Sequence, residues 1–143
     1  MSFQERSCGA VVFRKDADDA VFLLLHYGAG HWDYVKGQVE PDEAERDTVL
    51  RELREETGID AARFVERFRE EISYFYKRQG KLVHKQVVFF LVEAGTSAVR
   101  LSYEHVGYDW LSYPEAMERL TFKTAKNVLK KAHDLLKAQK KLE

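Results

Sequence analysis

Three glutamates, Glu52, Glu55 and Glu56, lie close together in the stretch GQVEPDEAERDTVLRELREETGI, residues 37–59. On a helix advancing 100° per residue they share one third of the circumference, while Val49, Leu50 and Leu53 form a separate apolar stripe. Glu52 and Glu56 are then a like-charged i, i+4 pair, which costs a few tenths of a kcal/mol in an isolated helix. A solvated, salt-bridged surface helix is the plainer account, because Arg46, Arg51 and Arg54 stand nearby. A bound cation gives the arrangement a purpose. A hard divalent ion such as Mg²⁺ takes one or two carboxylate oxygens and fills its other positions with water and phosphate oxygens. The chemistry on offer is metal-assisted attack on a phosphate.

Several elements must position these side chains. Asp42 is placed to serve as the N-cap, with Glu45 at N3, and Gly58 stands where a left-handed C-cap belongs, which predicts a helix from about 43 to 57. Before it, apolar runs at Cys8–Phe13 and Val21–Tyr27 read as a hairpin turning at Asp16-Ala17-Asp18-Asp19. After it, Phe64–Tyr76 and Val83–Val92 read as a second hairpin turning at Arg78-Gln79-Gly80. A short strand around Val106–Leu111 leads into Ser112-Tyr113-Pro114-Glu115, a capping-box pattern opening a helix to about Leu120. From Thr121 onward Ala125, Val128, Leu129, Ala132, Leu135 and Leu136 recur at helical spacing. Strands flanked by helices predict an α+β fold, an α/β/α sandwich around a mixed β-sheet.

The bulk properties narrow the partners. The chain has 143 residues, which suits a single domain spanning 1–143. Lys and Arg number 23 against 24 Asp and Glu, a net charge of −1. That balance is not the footprint of a protein held to nucleic acid by bulk positive charge, so phosphate binding must be local and no stable nucleic-acid partner is expected. The single Cys8 has no internal disulfide partner and reads as a small core residue. No apolar run approaches the ~20 residues of a membrane span, and none at the start resembles a signal peptide. The expectation is a soluble, cytoplasmic monomer that binds no membrane.

Gly37, Glu43, Arg51, Glu52, Glu55, Glu56 and Gly58 together reproduce the signature of the Nudix hydrolases over residues 37–59 without a mismatch. Seven fixed residues at roughly 6% frequency each arise by chance on the order of 10⁻⁹ per window. The resemblance implies a loop–helix–loop that binds Mg²⁺ or Mn²⁺ and hydrolyses a nucleoside diphosphate linked to another group. It puts Glu52, Glu55 and Glu56 on metal, with Glu52 also the base that deprotonates the attacking water. Gly37 would allow a tight turn and offer its carbonyl to the metal, and Glu43 and Arg51 would brace the loop and helix. The flanking stretches RSCGAVVFRK (6–15), FLLL (22–25), HWDYVKGQVEP (31–41) and LSYEHVGYDWL (101–111) resemble the asymmetrical diadenosine tetraphosphate hydrolases of that family. The implied substrate is a dinucleoside polyphosphate, Ap4A, cleaved to AMP and ATP. Other nucleoside diphosphate derivatives, the 5′ triphosphate end of RNA, diphosphoinositol polyphosphates and a non-catalytic nucleotide-binding role stay open as alternatives.

The same resemblance gives roles to residues outside the box, each with a plainer rival. Glu104 matches a carboxylate that reaches the metal site from a loop and contributes to catalysis; otherwise it is a surface acid. Lys85 matches a lysine on the polyphosphate, although a lysine beside an apolar strand is commonly only solvated. Tyr74, Tyr76 and Phe122 match aromatic positions that could stack adenine, against ordinary sheet packing. His31 and Lys36 flank Trp32 and could bind phosphate, or the histidine could be structural. The sequence departs from its relatives at Tyr34 and Val35, where proline is common, which changes the approach of Lys36. Lys123, Lys126, Lys130, Lys131 and Lys137 on the last helix read as a solvated face rather than an extended polyphosphate groove.

Overall fold

A computed structural model describes residues 3–141. In chain order the elements are β1 (Phe3–Asp16), β2 (Asp19–Tyr27), β3 (Trp32–Asp33), β4 (Val35–Gln38), α1 (Glu45–Thr57), β5 (Ala62–Arg78), β6 (Lys81–Ala94), β7 (His105–Leu111), α2 (Tyr113–Arg119) and α3 (Lys123–Lys141). The sheet runs β3-β2-β1-β6-β5, with β4 paired to β1 and β7 to β2. Strand β1 is the axis. Its end pairs antiparallel with β2, its middle pairs antiparallel with β4 through Ser7–Ala10, and its opposite edge runs parallel to β6 from Phe3 to Phe13. That one parallel pair makes the sheet mixed.

Side chains alternate across a strand, so both faces of a sheet covered by helices must be apolar. Val11, Phe13, Phe22, Leu24, Phe89 and Leu91 join a core with Ala116 of α2 and Ala125, Val128, Leu129 and Ala132 of α3. Their neighbours Ala10, Val12, Leu23, Leu25, Val88 and Val92 join a second core with Val49 and Leu53 of α1. The result is the predicted three-layer α/β/α arrangement. No helix of the described residues is long and apolar enough to cross a membrane.

Local signals held where the geometry is local. Gly58 adopts φ 73° and donates its N–H to Arg54 O at 2.9 Å, closing α1 as expected. The Ser112–Glu115 capping box opens α2. Gln79 and Gly80 both have positive φ, 52° and 76°, the backbone a tight two-residue hairpin requires. The start of α1 differs from expectation. The helix begins at Glu45 behind Ala44, which makes no side-chain cap, and Asp42 sits at φ 66° outside it. The cause is Glu43, whose carboxylate accepts from Thr48 Oγ1, from the Glu40 N–H and from Arg51. Those bonds fold residues 40–43 into a turn, from which Asp42 cannot reach the first helical N–H groups.

Candidate active site

Gly37 lies on the face of β4 turned toward α1, where a Cβ would stand 2.1 Å from Glu52 Cδ. Glycine therefore lets the Glu52 carboxylate rest directly against the strand. Arg51 gathers the surrounding acids. Its Nε and Nη2 donate to the two oxygens of Glu43 at 2.8 and 3.0 Å, and Nη2 also donates to the Gln38 carbonyl at 2.9 Å. Its Nη1 donates to Glu52 Oε1 at 2.7 Å and to Glu55 Oε2 at 3.2 Å. One guanidinium thus ties the loop before α1 to two of the three helical glutamates. These contacts hold the Glu43 carboxyl down at about 2.

Glu56 points inward and is only 6% exposed. Burial, reinforced by the charges of Glu52 and Glu104, pushes its carboxyl up to about 8, and the Lys36 backbone N–H counteracts only part of this. Burial likewise raises Glu52 against the opposing pull of Arg51. Glu104 reaches the cluster from the loop before β7, and its charge bears on both Glu52 and Glu56. Its carbonyl accepts from the Gly28 N–H at 3.3 Å, which ties that loop to the end of β2.

Among the described residues no three His, Cys, Asp or Glu side chains already close into a metal cage. The residues nevertheless fit a hard cation. They are carboxylates, they raise one another's pKa, and Glu56 Oε2 is buried with no hydrogen-bond partner.

By strand alternation Tyr74, Lys85 and Lys36 fall on the α3 face of the sheet, whereas His31 lies against Tyr27, whose ring also meets His105 behind Glu56. His31 stacks on Tyr27 with ring centres 4.6 Å apart and lies 5.4 Å from Phe122, which is 44% exposed. Tyr74 and Lys85 are register partners across β5 and β6, and burial lowers the Lys85 pKa. Lys36, opposite Gly9 on β4, is close enough for its charge to act on Lys85. Tyr76 does not present a free hydroxyl, because it donates to Glu5. The fold thus sets the acidic cluster on the α1 side of β4 and Lys36, Lys85 and Tyr74 on its other side. On α3, Lys130 pairs with Asp134 and Lys131 with Glu70, as a solvated face would.

Four residues of the site region escaped the sequence. Buried Asp33 accepts from Lys36 Nζ at 3.0 Å and from the Tyr34 N–H at 2.8 Å, so it sets the lysine's approach. Glu5 gathers Tyr76, Gln38 and Arg78. Tyr27 donates to the Tyr34 carbonyl at 2.6 Å, and His105 lies behind Glu56. Nothing local marks Glu5 or Tyr27, because each acquires partners through the folded sheet; Asp33 has its partners within three residues, in no repeating pattern, and His105 was readable only as the neighbour of Glu104.

A three-layer fold carrying an acidic helix under a lysine-bearing sheet defines a class, and the family model for the NUDIX domain matches residues 4–132. The chain belongs to the Nudix family and is a hydrolase of that family, whose members generally need divalent metal ions. It is similar to the asymmetrical bis(5′-nucleosyl)-tetraphosphatase of Mus musculus, 38% identical with 92% of this chain and 95% of that protein covered. It is also similar to the Sus scrofa protein of the same name, 39% identical with the same coverage. A solved Caenorhabditis elegans Ap4A hydrolase binary complex superposes with a TM-score of 0.83 at 29% identity, covering 94% of this chain and 98% of that one.

Proposed function

We propose that the chain hydrolyses dinucleoside polyphosphates, converting Ap4A to AMP and ATP. The observation that carries this reading is the Glu52 carboxylate set against Gly37, with buried Glu56 beside it, on one side of β4, while Lys36 of the same strand and Lys85 lie on the other side. The full-length likeness to proteins named for that reaction supports the choice of substrate. Glu52, Glu55, Glu56, Glu104 and the Gly37 carbonyl would hold the metal, with Mg²⁺ or Mn²⁺ the ion of choice for oxygen donors. Such an ion supplies charge neutralisation at the phosphate oxygens.

The chain's own groups do the rest. Glu52, with its carboxylate raised by burial, takes a proton from water. The water oxygen bonds to the phosphorus next to one adenosine, and the bond from that phosphorus to the bridging oxygen breaks. That oxygen leaves with ATP, while AMP keeps the oxygen from water. Lys36 and Lys85 bind the polyphosphate, and His31, Phe122 and Tyr74 stack the adenines. Glu43 and Arg51 brace the loop against α1.

The test is hydrolysis of Ap4A with Mg²⁺ in ¹⁸O-labelled water. Labelled AMP with unlabelled ATP is the expected result. An intact substrate, while another nucleotide derivative is cleaved under the same conditions, would discard Ap4A and keep the hydrolase.

A further inference from the structure

Behind the acidic cluster two buried polar atoms lie without partners. Glu56 Oε2 and His105 Nε2 make no hydrogen bond, and Nε2 lies 3.9 Å from Glu56 Oε1. The His105 side chain is fully buried and that of Glu56 is 7% exposed. Leaving such atoms unpaired is costly, so an imidazole N–H site and a carboxylate left side by side call for a reason.

The surroundings hold the ring still. His105 Nδ1 is 3.1 Å from Ser102 Oγ, and the Tyr27 ring packs edge-on at 4.5 Å. The loop itself is fastened to Glu56, since the Ser102 N–H donates to the Glu56 carbonyl at 3.2 Å. The His105 N–H donates back to the Ser102 carbonyl at 3.3 Å. Imidazole and carboxylate are thereby registered to each other through the backbone.

We propose that His105 is a positioning residue that orients the Glu56 carboxylate toward the cation. The Ser102 hydroxyl donates to Nδ1, which leaves the ring proton on Nε2. That proton is donated to Glu56 Oε1 once the carboxylate turns to shorten 3.9 Å to about 2.9 Å. Oε2 is then the oxygen left for the metal. The inference rests on the reading of Glu56 as a metal ligand. Partners that fix a ligating carboxylate commonly govern roughly 10–100-fold in metal affinity.

Mn²⁺ binding without substrate, read from the electron paramagnetic resonance of the free ion, tests this separately from Ap4A cleavage. His105→Phe keeps an aromatic ring and loses the N–H; it is expected to weaken Mn²⁺ binding roughly 10–100-fold while melting normally without cation. His105→Gln carries an N–H near the Nε2 position and is expected to restore most of the affinity, which a purely packing role does not explain. Wild-type affinity in the Phe variant would overturn the proposal. If that variant does not fold, ¹H–¹⁵N correlation of the wild-type imidazole with Mg²⁺ decides. An Nε2-protonated tautomer supports the assignment and an Nδ1-protonated one overturns it. Failure of the wild-type chain to bind Mn²⁺ removes both this role and the metal site, whereas wild-type binding matched by the Phe variant removes only the role of His105.

Discussion

Gly37 and Gly9 face the same test of space and should fail it differently. A Cβ on Gly9 would meet the Val35 carbonyl oxygen at 2.3 Å, and backbone in the middle of a paired strand has nowhere to go. A Cβ on Gly37 would meet the Glu52 carboxylate, at 2.1 Å from Cδ, and that group is the far end of a flexible side chain. The carboxylate moves and the fold survives. Gly37→Ala is therefore expected to melt within about 1 kcal/mol of the wild type, the range of substitutions that create no buried defect. Its turnover of Ap4A should fall by roughly 100-fold, because an ångström of displacement at a reacting group has that scale of effect. Steady-state kinetics beside a thermal melt makes the check. Unchanged turnover would mean that Glu52 need not lie against β4.

At the scale of elements, Tyr34 shows how a strand and a helix come to share one position. It is fully buried in β4's approach, packs edge-on against Phe89, and donates its hydroxyl to the Ala125 carbonyl of α3 at 2.5 Å. Tyr34→Phe removes only that bond and should cost about 1 kcal/mol in urea denaturation, with turnover near wild type because Asp33, not the phenol, holds Lys36. A loss above about 3 kcal/mol would instead indicate collapse of the α3 packing. The sequence displayed what depends on neighbours within a turn: the glutamate stripe of α1, its Gly58 cap and the Ser112 capping box. It did not display that β1 extends to Phe3, because Gln4, Glu5, Arg6 and Ser7 are polar and become strand only by pairing with β6. The expected bracing of the loop by Glu43 and Arg51 came without the consequence that their bonds displace the expected cap. Those outcomes are decided by groups that the fold brings together, and pattern reading within one segment has no access to them.

Across the whole molecule the net charge of −1 conceals a local crowding of carboxylates around buried Glu56. That crowding links stability to pH and to cations. The Glu56 carboxyl has a pKa near 4.5 when unfolded and is pushed up to about 8 in the fold, because burial penalises its charge. Its contribution to stability is complete below 4.5 and is lost as pH rises through 8, at about 1.4 kcal/mol for each unit of pKa difference. Glu52, also raised by burial, acts with the same sign. His31, His105 and His133 oppose this at lower pH: burial depresses their pKa values, so the folded state gains as they lose protons. Wild type alone therefore gives a mixed curve, and the difference from Glu56→Gln isolates the carboxyl. In EDTA the Gln variant should gain stability over the wild type steadily between pH 5 and about 8. Saturating Mg²⁺ should close that gap in favour of the wild type, since a ligand bound only by the folded state stabilises it by mass action. Parallel curves for the two proteins in EDTA would show that the Glu56 charge is already compensated inside the fold, and the physical case for a cation beside it would fall.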